Sequence, residues 1–355
     1  MTSPAASRLL THLLASGGAT SRFSVIGLSK NAGKTVALNH IIRAAGVEGL
    51  PLGLVSTGRD GEEKDAVTEL PKPRIWVPAG AWIATARKAL SVGTAQVDVV
   101  QELPHATPFG PVVLGRVVAE GEVLLIGPGS AKRIGEMLGA LEACGSRLTL
   151  VDGSFDRIAA AAPAVTGRVV LAAGAAYSAA MGETVAQVRH VLDVFDLPSL
   201  PGEYDMPVAR AVRTGPVSLV TPDGRTLAVP VASALSDPDP IADFAQEAGP
   251  GSLLVISGAL SDRLLLTLVK RRLYGLSLVL HDPTHVLVGR NLWRRWRNQG
   301  GQAYVRHRVK LLAVTTNPHS PVGQDYDTQA FFEMIAALAG RPVFDLEAGL
   351  VANEP

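Results

Sequence analysis

The amino-acid sequence predicts an α/β fold in which helices cover a mostly parallel sheet. Short apolar runs typical of buried strands alternate with segments whose apolar residues recur at helical spacing. The strand-like runs carry few polar residues at alternate positions, as expected of a sheet that is covered on both faces. The 355 residues are 47% hydrophobic and 18% charged, which is enough for a large buried core and argues against a disordered chain.

The N-terminal part has the order strand, glycine-rich loop, helix and strand, which is typical of a βαβ unit. A strand is predicted over 23–27, a helix over 35–45 and a second strand over 51–55. Further strand-like runs are 122–126, 147–151, 168–172, 253–256, 276–280 and 311–315. Helical spacing marks 4–15, 130–144, 180–195, 262–273, 290–299 and 333–339.

Composition divides the chain into four predicted parts. Residues 1–20 form an N-terminal helix and a link, and 21–197 form an α/β domain that holds the glycine-rich loop. Residues 198–240 are rich in Pro and Gly and carry Asp223-Gly224 between two apolar runs, which predicts a small β-hairpin insertion or a domain junction. Residues 241–355 form a C-terminal α/β part that completes or flanks the first domain.

Charge and cysteine content exclude several classes of function. Lys and Arg total 33 against 32 Asp and Glu, which gives no electrostatic case for a nucleic-acid partner. A single cysteine, Cys144, excludes a disulfide within the chain and a thiolate metal cluster. No apolar run is long enough to span a bilayer, and the apolar piece 9–15 lacks a signal-peptide pattern. We therefore expect a cytoplasmic protein with no nucleic-acid or membrane partner.

The segment from Gly27 to Thr35 has the composition of a phosphate-binding loop, or P-loop. The first N–H groups of a helix have no partner within the helix and can bind phosphate, and Gly33 would let the backbone approach it. Lys34 would reach the β and γ oxygens of a nucleotide, and the Thr35 hydroxyl would ligate Mg²⁺. The predicted nucleotide-binding residues of the loop are Gly27, Ser29, Lys30, Asn31, Ala32, Gly33, Lys34, Thr35 and Val36.

The loop departs from the standard spacing by one residue. The standard motif has four residues between its first glycine and Gly-Lys, whereas here five residues separate Gly27 from Gly33. A longer loop of this kind occurs in dethiobiotin synthetase-like P-loop proteins, which this loop resembles. Lys30 lies one residue from the place where dimeric P-loop ATPases carry a lysine that reaches the partner's phosphate. A homodimer would fit this interpretation, and a solvated loop lysine is the alternative.

Magnesium also needs a carboxylate near the phosphates, usually at the end of a buried strand. Asp152 follows the predicted strand 147–151 and is the first candidate, with a plain turn residue as the alternative. Asp60, just past the second strand, could ligate magnesium or position the attacking water, and Arg59 could touch phosphate. For both, an ordinary polar loop residue is the alternative. The predicted catalytic residues are Lys34, Asp60 and Asp152, and the predicted metal ligands are Thr35, Asp152 and Asp60.

Two later loops carry further candidates. Asn317 follows a predicted strand and could read the nucleotide base, as Asn residues after late strands do in this P-loop class. A plain Asx-Pro turn is the alternative. His281 and His285 flank Asp-Pro-Thr in a metal-like pattern, but they lie on a strand-to-loop segment with Pro283 and not on a helix face. This placement argues against a metal site there.

Several segments together resemble the reactivating ATPase subunit of lysine 5,6-aminomutase. They are Ser29 to His40, Ser56 to Gly61, Lys72 to Pro78, Asp152 to Arg157, Ala172 to Ala176 and Asn317 to Pro321. The Gly-Lys-Thr piece is generic, whereas Ser-Thr-Gly-Arg-Asp-Gly and Asp-Gly-x-x-Asp-Arg are more specific. The likeness runs over most of the chain and has least support across 198–310.

This resemblance implies a function in lysine degradation. Members of that family use ATP and Mg²⁺, with a small second subunit, to release damaged cobalamin from an adenosylcobalamin-dependent aminomutase, so that intact cofactor can replace it. On this basis Lys34 and Thr35 would hold ATP and magnesium, and Asp152 and Asp60 would complete the site. Hydrolysis would then change the fit to the aminomutase.

Two other functions use the same loop, and the sequence leaves ATP and GTP both open. A dethiobiotin synthetase-like ligase would phosphorylate a carboxylate and would need a second substrate pocket, for which Lys64 and Thr57 are weak candidates. A GTP-dependent metallochaperone would need His or Cys clusters near the loop, where His40 is the nearest histidine.

Overall fold

The chain folds into two compact units, one formed by Met1–Arg189 with Lys310–Pro355 and the other by His190–Val309. The structure is a computed structural model that describes residues 3–18, 20–57, 75–153, 165–321 and 323–354. Within these described ranges, no helix combines the length and the apolar character needed to cross a membrane.

The helices and strands follow the predicted alternation over most of the chain. From the N-terminus to the helix that joins the two units they are α1 Pro4–Ala15, β1 Ser21–Gly27, α2 Lys34–Val47, β2 Leu52–Ser56, β3 Ile75–Val77, β4 Trp82–Ala86, β5 Gln96–Thr107, β6 Gly110–Ala119, β7 Gly121–Val123, α3 Ala131–Ala143, β8 Leu148–Asp152, β9 Arg168–Gly174 and α4 Met181–Phe195. Next come α5 Asp205–Thr214, β10 Val217–Val220, β11 Thr226–Ala228, α6 Pro238–Ala248, β12 Leu253–Ile256, β13 Leu260–Ser261, α7 Asp262–Lys270, β14 Ser277–Leu280, β15 Val286–Leu287, α8 Arg290–Asn298 and β16 Gln302–Val305. The chain ends with β17 Lys310–Asn317, α9 Thr328–Ala339, β18 Val343–Asp345 and β19 Leu350–Ala352.

The first unit is built on one large mixed sheet. Ten of the described strands form it, in the order β19-β18-β17-β9-β1-β8-β2-β4-β6-β5. The strands from β18 to β4 in that order run parallel, and β19, β6 and β5 are antiparallel to their neighbours. This confirms an α/β fold with a mostly parallel sheet, and it places β1 in the middle between β9 and β8.

Alternate side chains of the central strands pack against helices on opposite faces of the sheet. Phe23 and Val25 of β1 lie in a core that includes α1 and α2, whereas Val151 of β8 packs with α3. The leucines on the inner face of α1, among them Leu9 and Leu13, are fully buried in the first of these cores. The predicted N-terminal helix is therefore part of the first unit, since its apolar face packs in one core with α2 and lies against β18.

A long antiparallel hairpin extends the sheet beyond β4, which the sequence did not predict. β5 and β6 pair along most of their length, with three irregularities in register. Most of β5 is exposed, so it lacks the apolar run that marks a buried strand.

The strand predicted over 122–126 ends early, at Val123. Beyond that point the Thr85 hydroxyl accepts a hydrogen bond from the Ile126 N–H at 2.9 Å and donates one to the Leu124 carbonyl at 3.0 Å. Because a side chain satisfies these backbone groups, the segment stays buried and extended without joining the sheet as a strand.

The second unit is a separate α/β layer structure. Its sheet has the order β11-β10-β12-β14-β16, in which β12, β14 and β16 are parallel and β10 and β11 form an antiparallel hairpin. Helices α6, α7 and α8 pack in one core and α5 in another, on the opposite face. Gly224 takes a left-handed conformation with φ 82° in the hairpin turn, as Asp223-Gly224 indicated.

This organisation differs from the predicted parts 198–240 and 241–355. The hairpin does not form an insertion of its own, because β10 pairs with β12 and continues a five-stranded sheet. The second unit starts at His190, within α4, and the chain returns to the first unit at Lys310. The start of the second unit lies near the predicted limit at 197, whereas the return at Lys310 was not predicted, because parallel strands of both units have the same apolar composition.

Candidate functional site

The glycine loop, residues 28–33, leaves the middle strand of the first sheet at its carboxyl end. Gly27 is in register with Ala172 of β9, and the Leu28 N–H donates to the Ala172 carbonyl at 3.2 Å. The loop then enters α2 at Lys34. Ligands of α/β proteins bind outside the carboxyl ends of the parallel strands, so the predicted site lies where the fold favours one.

Two residues of the loop have left-handed backbone conformations that turn the chain back toward the helix. They are Asn31, with φ 59°, and Gly33, with φ 95°. A Cβ atom on Gly33 would also lie only 2.7 Å from the Cβ of Asn317. Glycine is therefore required at 33 both for its backbone angle and for the space beside it. Gly27 is similarly enclosed, since a Cβ there would lie 2.9 Å from Cγ of Lys34.

The N-terminus of α2 is open to an anion. Its N-cap residue, Gly33, has no side chain to accept a hydrogen bond from the first turn, and the first turn contains no acidic side chain. The first backbone bond of the helix joins Ala37 N–H to the Gly33 carbonyl at 2.9 Å. The amides before it point out of the helix at its positive end, which favours a phosphate group.

Lys34 folds back across the glycine loop. Its Nζ donates to the main-chain carbonyl of Ser29 at 3.2 Å, and the Ser29 hydroxyl donates to the Lys30 carbonyl at 3.0 Å. The ammonium group therefore lies against the main chain of the loop. Thr35 and Val36 follow in the first turn of the helix, and both are partly exposed.

Asp152 ends the strand next to β1. The register places Asp152 opposite Val25 of β1 and Ser56 of β2. Its main-chain carbonyl accepts from Thr57 N–H at 3.0 Å and from the Ser56 hydroxyl at 3.3 Å, and its side chain is partly exposed. A carboxylate is thus fixed on the strand adjacent to the one that carries the loop, as a metal ligand would require.

Asn317 lies against the loop although its strand is two positions away from β1. It ends β17 in register with Gly174, and its side chain contacts the backbone of Gly33. Its Oδ1 accepts from His319 N–H at 3.2 Å, so it also forms an Asx turn. The structure brings Asn317 to the loop, and its contact with a base stays a prediction.

The loop that follows Asn317 is closed by residues that sequence reasoning missed. Tyr326 N–H donates to the Pro318 carbonyl at 2.9 Å, and the Tyr326 hydroxyl meets the Thr184 hydroxyl at 2.8 Å. His319 Nδ1 donates to Asp325 at 2.9 Å, and this hydrogen bond raises the pKa of His319 and lowers that of Asp325. The alternation of polar residues and prolines indicated a turn but not these long-range contacts.

Two predicted residues cannot be placed. Asp60 and Arg59 lie outside the described residues, as does Lys64 of the alternative second pocket. Thr57, the other candidate for that pocket, is buried and its hydroxyl donates to the Asp152 carbonyl at 3.4 Å. It therefore serves to hold the two strand ends together.

The carboxyl ends of β1 and β8 and the start of α2 offer backbone N–H donors, the ammonium groups of Lys30 and Lys34, the Thr35 hydroxyl and the Asp152 carboxylate. Such a set can bind a phosphate group and a divalent cation side by side. Comparison of the sequence with protein-family models and curated proteins, and of the structure with solved structures, found no match.

Proposed function

We propose that the chain is a P-loop protein that binds ATP with Mg²⁺ and hydrolyses it, as a reactivase for an adenosylcobalamin-dependent aminomutase. The observation that supports the nucleotide part is the glycine loop between the central parallel strand and an uncapped helix, with Lys34 folded across it and Asp152 on the next strand. The aminomutase part rests on the resemblance of the sequence segments, which extends beyond the loop to Asp152 and Asn317.

The residues present fit a triphosphate with magnesium. The open helix N-terminus offers amide donors to the phosphate oxygens, and Gly33, against which Asn317 packs, has no side chain that could block their approach. Thr35 would ligate the metal through its hydroxyl, and Asp152 would hold it directly or through a water molecule. Bound Mg²⁺ would offset charge on the β- and γ-phosphates.

Lys34 would change partner when the nucleotide binds. Its ammonium would leave the Ser29 carbonyl and donate to phosphate oxygens, which is a stronger interaction because donor and acceptor are then both charged. Asp60 keeps its proposed role of orienting the attacking water or completing the metal site. The glycine loop contacts Asn317, so the loop from Asn317 to Tyr326 would sense the nucleotide and alter the surface offered to the aminomutase.

The test is hydrolysis of nucleotide by the purified full chain, which we propose to be a cytosolic protein. ATP and GTP would each be supplied with Mg²⁺, with and without a cobalamin-inactivated aminomutase and its small reactivase subunit. We expect ATP hydrolysis to be stimulated by the inactivated enzyme, together with release of damaged cobalamin. Hydrolysis that ignores the aminomutase while a carboxylate substrate becomes phosphorylated would support the ligase function and reject the reactivase.

The matched variants for this assay are Lys34→Ala and Lys310→Ala. Lys34→Ala should weaken ATP binding by about 100-fold or more, because the ammonium opposite the triphosphate is lost. Lys310 is an exposed lysine at the amino end of β17, away from the carboxyl ends of the strands. Lys310→Ala should therefore bind ATP as the wild type does. Calorimetry that finds equal affinity in both variants would reject the nucleotide site itself, whatever the aminomutase does.

A further inference from the structure

Three imidazoles meet at the carboxyl edge of the sheet in the second unit. His281 directly follows β14, His285 lies in a short 3₁₀ turn after it, and His307 follows β16. β14 and β16 are parallel neighbours, and the main-chain N–H of His307 donates to the main-chain carbonyl of His281 at 2.9 Å. The contact of two strand ends therefore adds a third imidazole to the pair that the sequence pattern contained.

The ring of His281 is spaced from each of the other two rings as one ligand of an ion is from the next. The ring centroid of His281 lies 5.2 Å from that of His285 and 4.7 Å from that of His307. A tetrahedral metal at about 2.1 Å from each Nε2 would set the centroids roughly 5 Å apart. Among the described residues, the group whose ligand atoms all lie within 4.8 Å of one another is His281, Asp282 and His285, and His307 stands outside it.

A fully buried carboxylate fixes two of these rings. Asp282 Oδ2 accepts from His281 Nδ1 at 2.8 Å, and its Oδ1 lies 3.2 Å from His285 Nδ1. The same Oδ1 accepts from Thr284 N–H at 2.8 Å. Metal-binding histidines are commonly held in this way, with one ring nitrogen on a carboxylate and the other on the metal.

In His281 and His285, the Nε2 atom is the ring nitrogen that faces away from Asp282. Because Nδ1 of His281 and of His285 faces Asp282, Nε2 of each ring points away from the carboxylate. Within the described residues the structure gives neither Nε2 atom a hydrogen bond. A simple Asx turn at Asp282 needs only the Thr284 amide and hydroxyl, so it does not account for two imidazoles on the same carboxylate.

We propose that His281 and His285 bind a divalent transition-metal ion of the zinc type through Nε2, with Asp282 as a positioning residue and with the exposed His307, whose ring lies beside that of His281, turning to complete the ligand set when the ion binds. Imidazole ligands suit Zn²⁺, Co²⁺, Ni²⁺ and Cu²⁺ and disfavour Mg²⁺ and Ca²⁺. His281 and His285 have 37% and 30% of their side chains exposed, so the ion can enter from solvent and keep a water in its fourth position. The site does not depend on the proposed nucleotide function.

The test is titration of the metal-free full chain with Zn²⁺ by calorimetry and with Co²⁺ by visible absorption. Excess Mg²⁺ would be present throughout to occupy oxygen-rich sites. We expect one ion per chain, and a Co²⁺ spectrum of the intense, four-coordinate type. His281→Ala and His307→Gln should each weaken binding by about 100-fold, and Asp282→Asn by about 10- to 100-fold.

The matched control is His319→Gln. His319 also donates Nδ1 to a carboxylate, Asp325, at 2.9 Å, but in the first unit and without a second imidazole on that carboxylate in the described structure. This variant should bind Zn²⁺ with wild-type affinity. His307 is exposed, so His307→Gln should keep the fold even where His281→Ala does not. Wild-type chain that binds no stoichiometric Zn²⁺, or His307→Gln of unchanged affinity, would overturn the proposal.

Discussion

The two units end their parallel strands in loops of different chemistry. In the first unit, β1 runs into a loop of backbone amides with the ammonium groups of Lys30 and Lys34, and Asp152 stands partly exposed on the next strand. In the second unit, β14 and β16 run into imidazoles that surround a carboxylate with 0% exposure. The same edge of an α/β sheet thus presents backbone N–H donors in one unit and imidazoles in the other, which is why we propose an anion for the first and a metal ion for the second.

If both proposals hold, the binding energy would come from different groups in the two units. An amide site depends on backbone conformation, so it needs contiguous residues with unusual angles, such as Asn31 and Gly33. A side-chain site depends on residues from separate strands and on a buried group that orients them, here Asp282. Substitutions should therefore affect function and stability differently in the two units.

The largest difference is expected between Asp152→Asn and Asp282→Asn. Asp152→Asn should slow magnesium-dependent hydrolysis on the order of 100-fold, with much less effect on ATP binding, because a metal ligand loses its charge. The main-chain carbonyl of Asp152, which joins β8 to Thr57, stays in place, so we expect little change in thermal stability. Loss of hydrolysis and binding to the same extent would instead indicate a structural role for Asp152.

Asp282→Asn should behave in the opposite way in a thermal unfolding experiment without metal. The carboxylate is fully buried and accepts from Thr284 and His281, and the amide can replace only part of these hydrogen bonds. A loss of about 1–3 kcal/mol in the free energy of unfolding is expected. Equal losses of stability in Asp152→Asn and Asp282→Asn would contradict this comparison.

The contrast also explains how much of the fold and of the two sites could be predicted. The glycine loop is contiguous, so its place between β1 and α2 followed from a motif and from the alternation of strand and helix. The hairpin of β5 and β6 was missed because its first strand is mostly exposed and lacks an apolar run. His307 could not be joined to His281 from sequence, since only the pairing of β14 with β16 brings them together.

The next prediction compares two glycines of the first unit that share a left-handed conformation. Gly33 has φ 95° and Gly80 has φ 87°, so alanine at either position costs about 1 kcal/mol or more in backbone strain. A Cβ on Gly33 would in addition lie 2.7 Å from Asn317, whereas one on Gly80 would meet nothing within 4 Å. Gly33→Ala should therefore lower thermal stability more than Gly80→Ala.

Nucleotide binding separates the same two variants further. Gly33→Ala should weaken ATP binding strongly, because the amides of the α2 N-terminus would shift, and Gly80→Ala should leave it unchanged. If the two variants match in both stability and affinity, the contact between Gly33 and Asn317 has no part in shaping the loop.

The smallest expected effect concerns the loop after Asn317, whose order should depend on pH. The hydrogen bond to Asp325 raises the pKa of His319, so its stabilising contribution is present below the unfolded pKa of about 6.5 and is lost as pH rises through the raised value. The same bond lowers the pKa of Asp325, so its contribution is present above about pH 4 and is lost as pH falls through the lowered value. The pair is fully formed between these limits. An NMR titration should give His319 a pKa above 6.5, and Asp325→Asn should return it toward that value. Because both side chains are exposed, 1 M salt should weaken the shift, and a His319 pKa that ignores both the substitution and the salt would show that the ion pair does not order this loop.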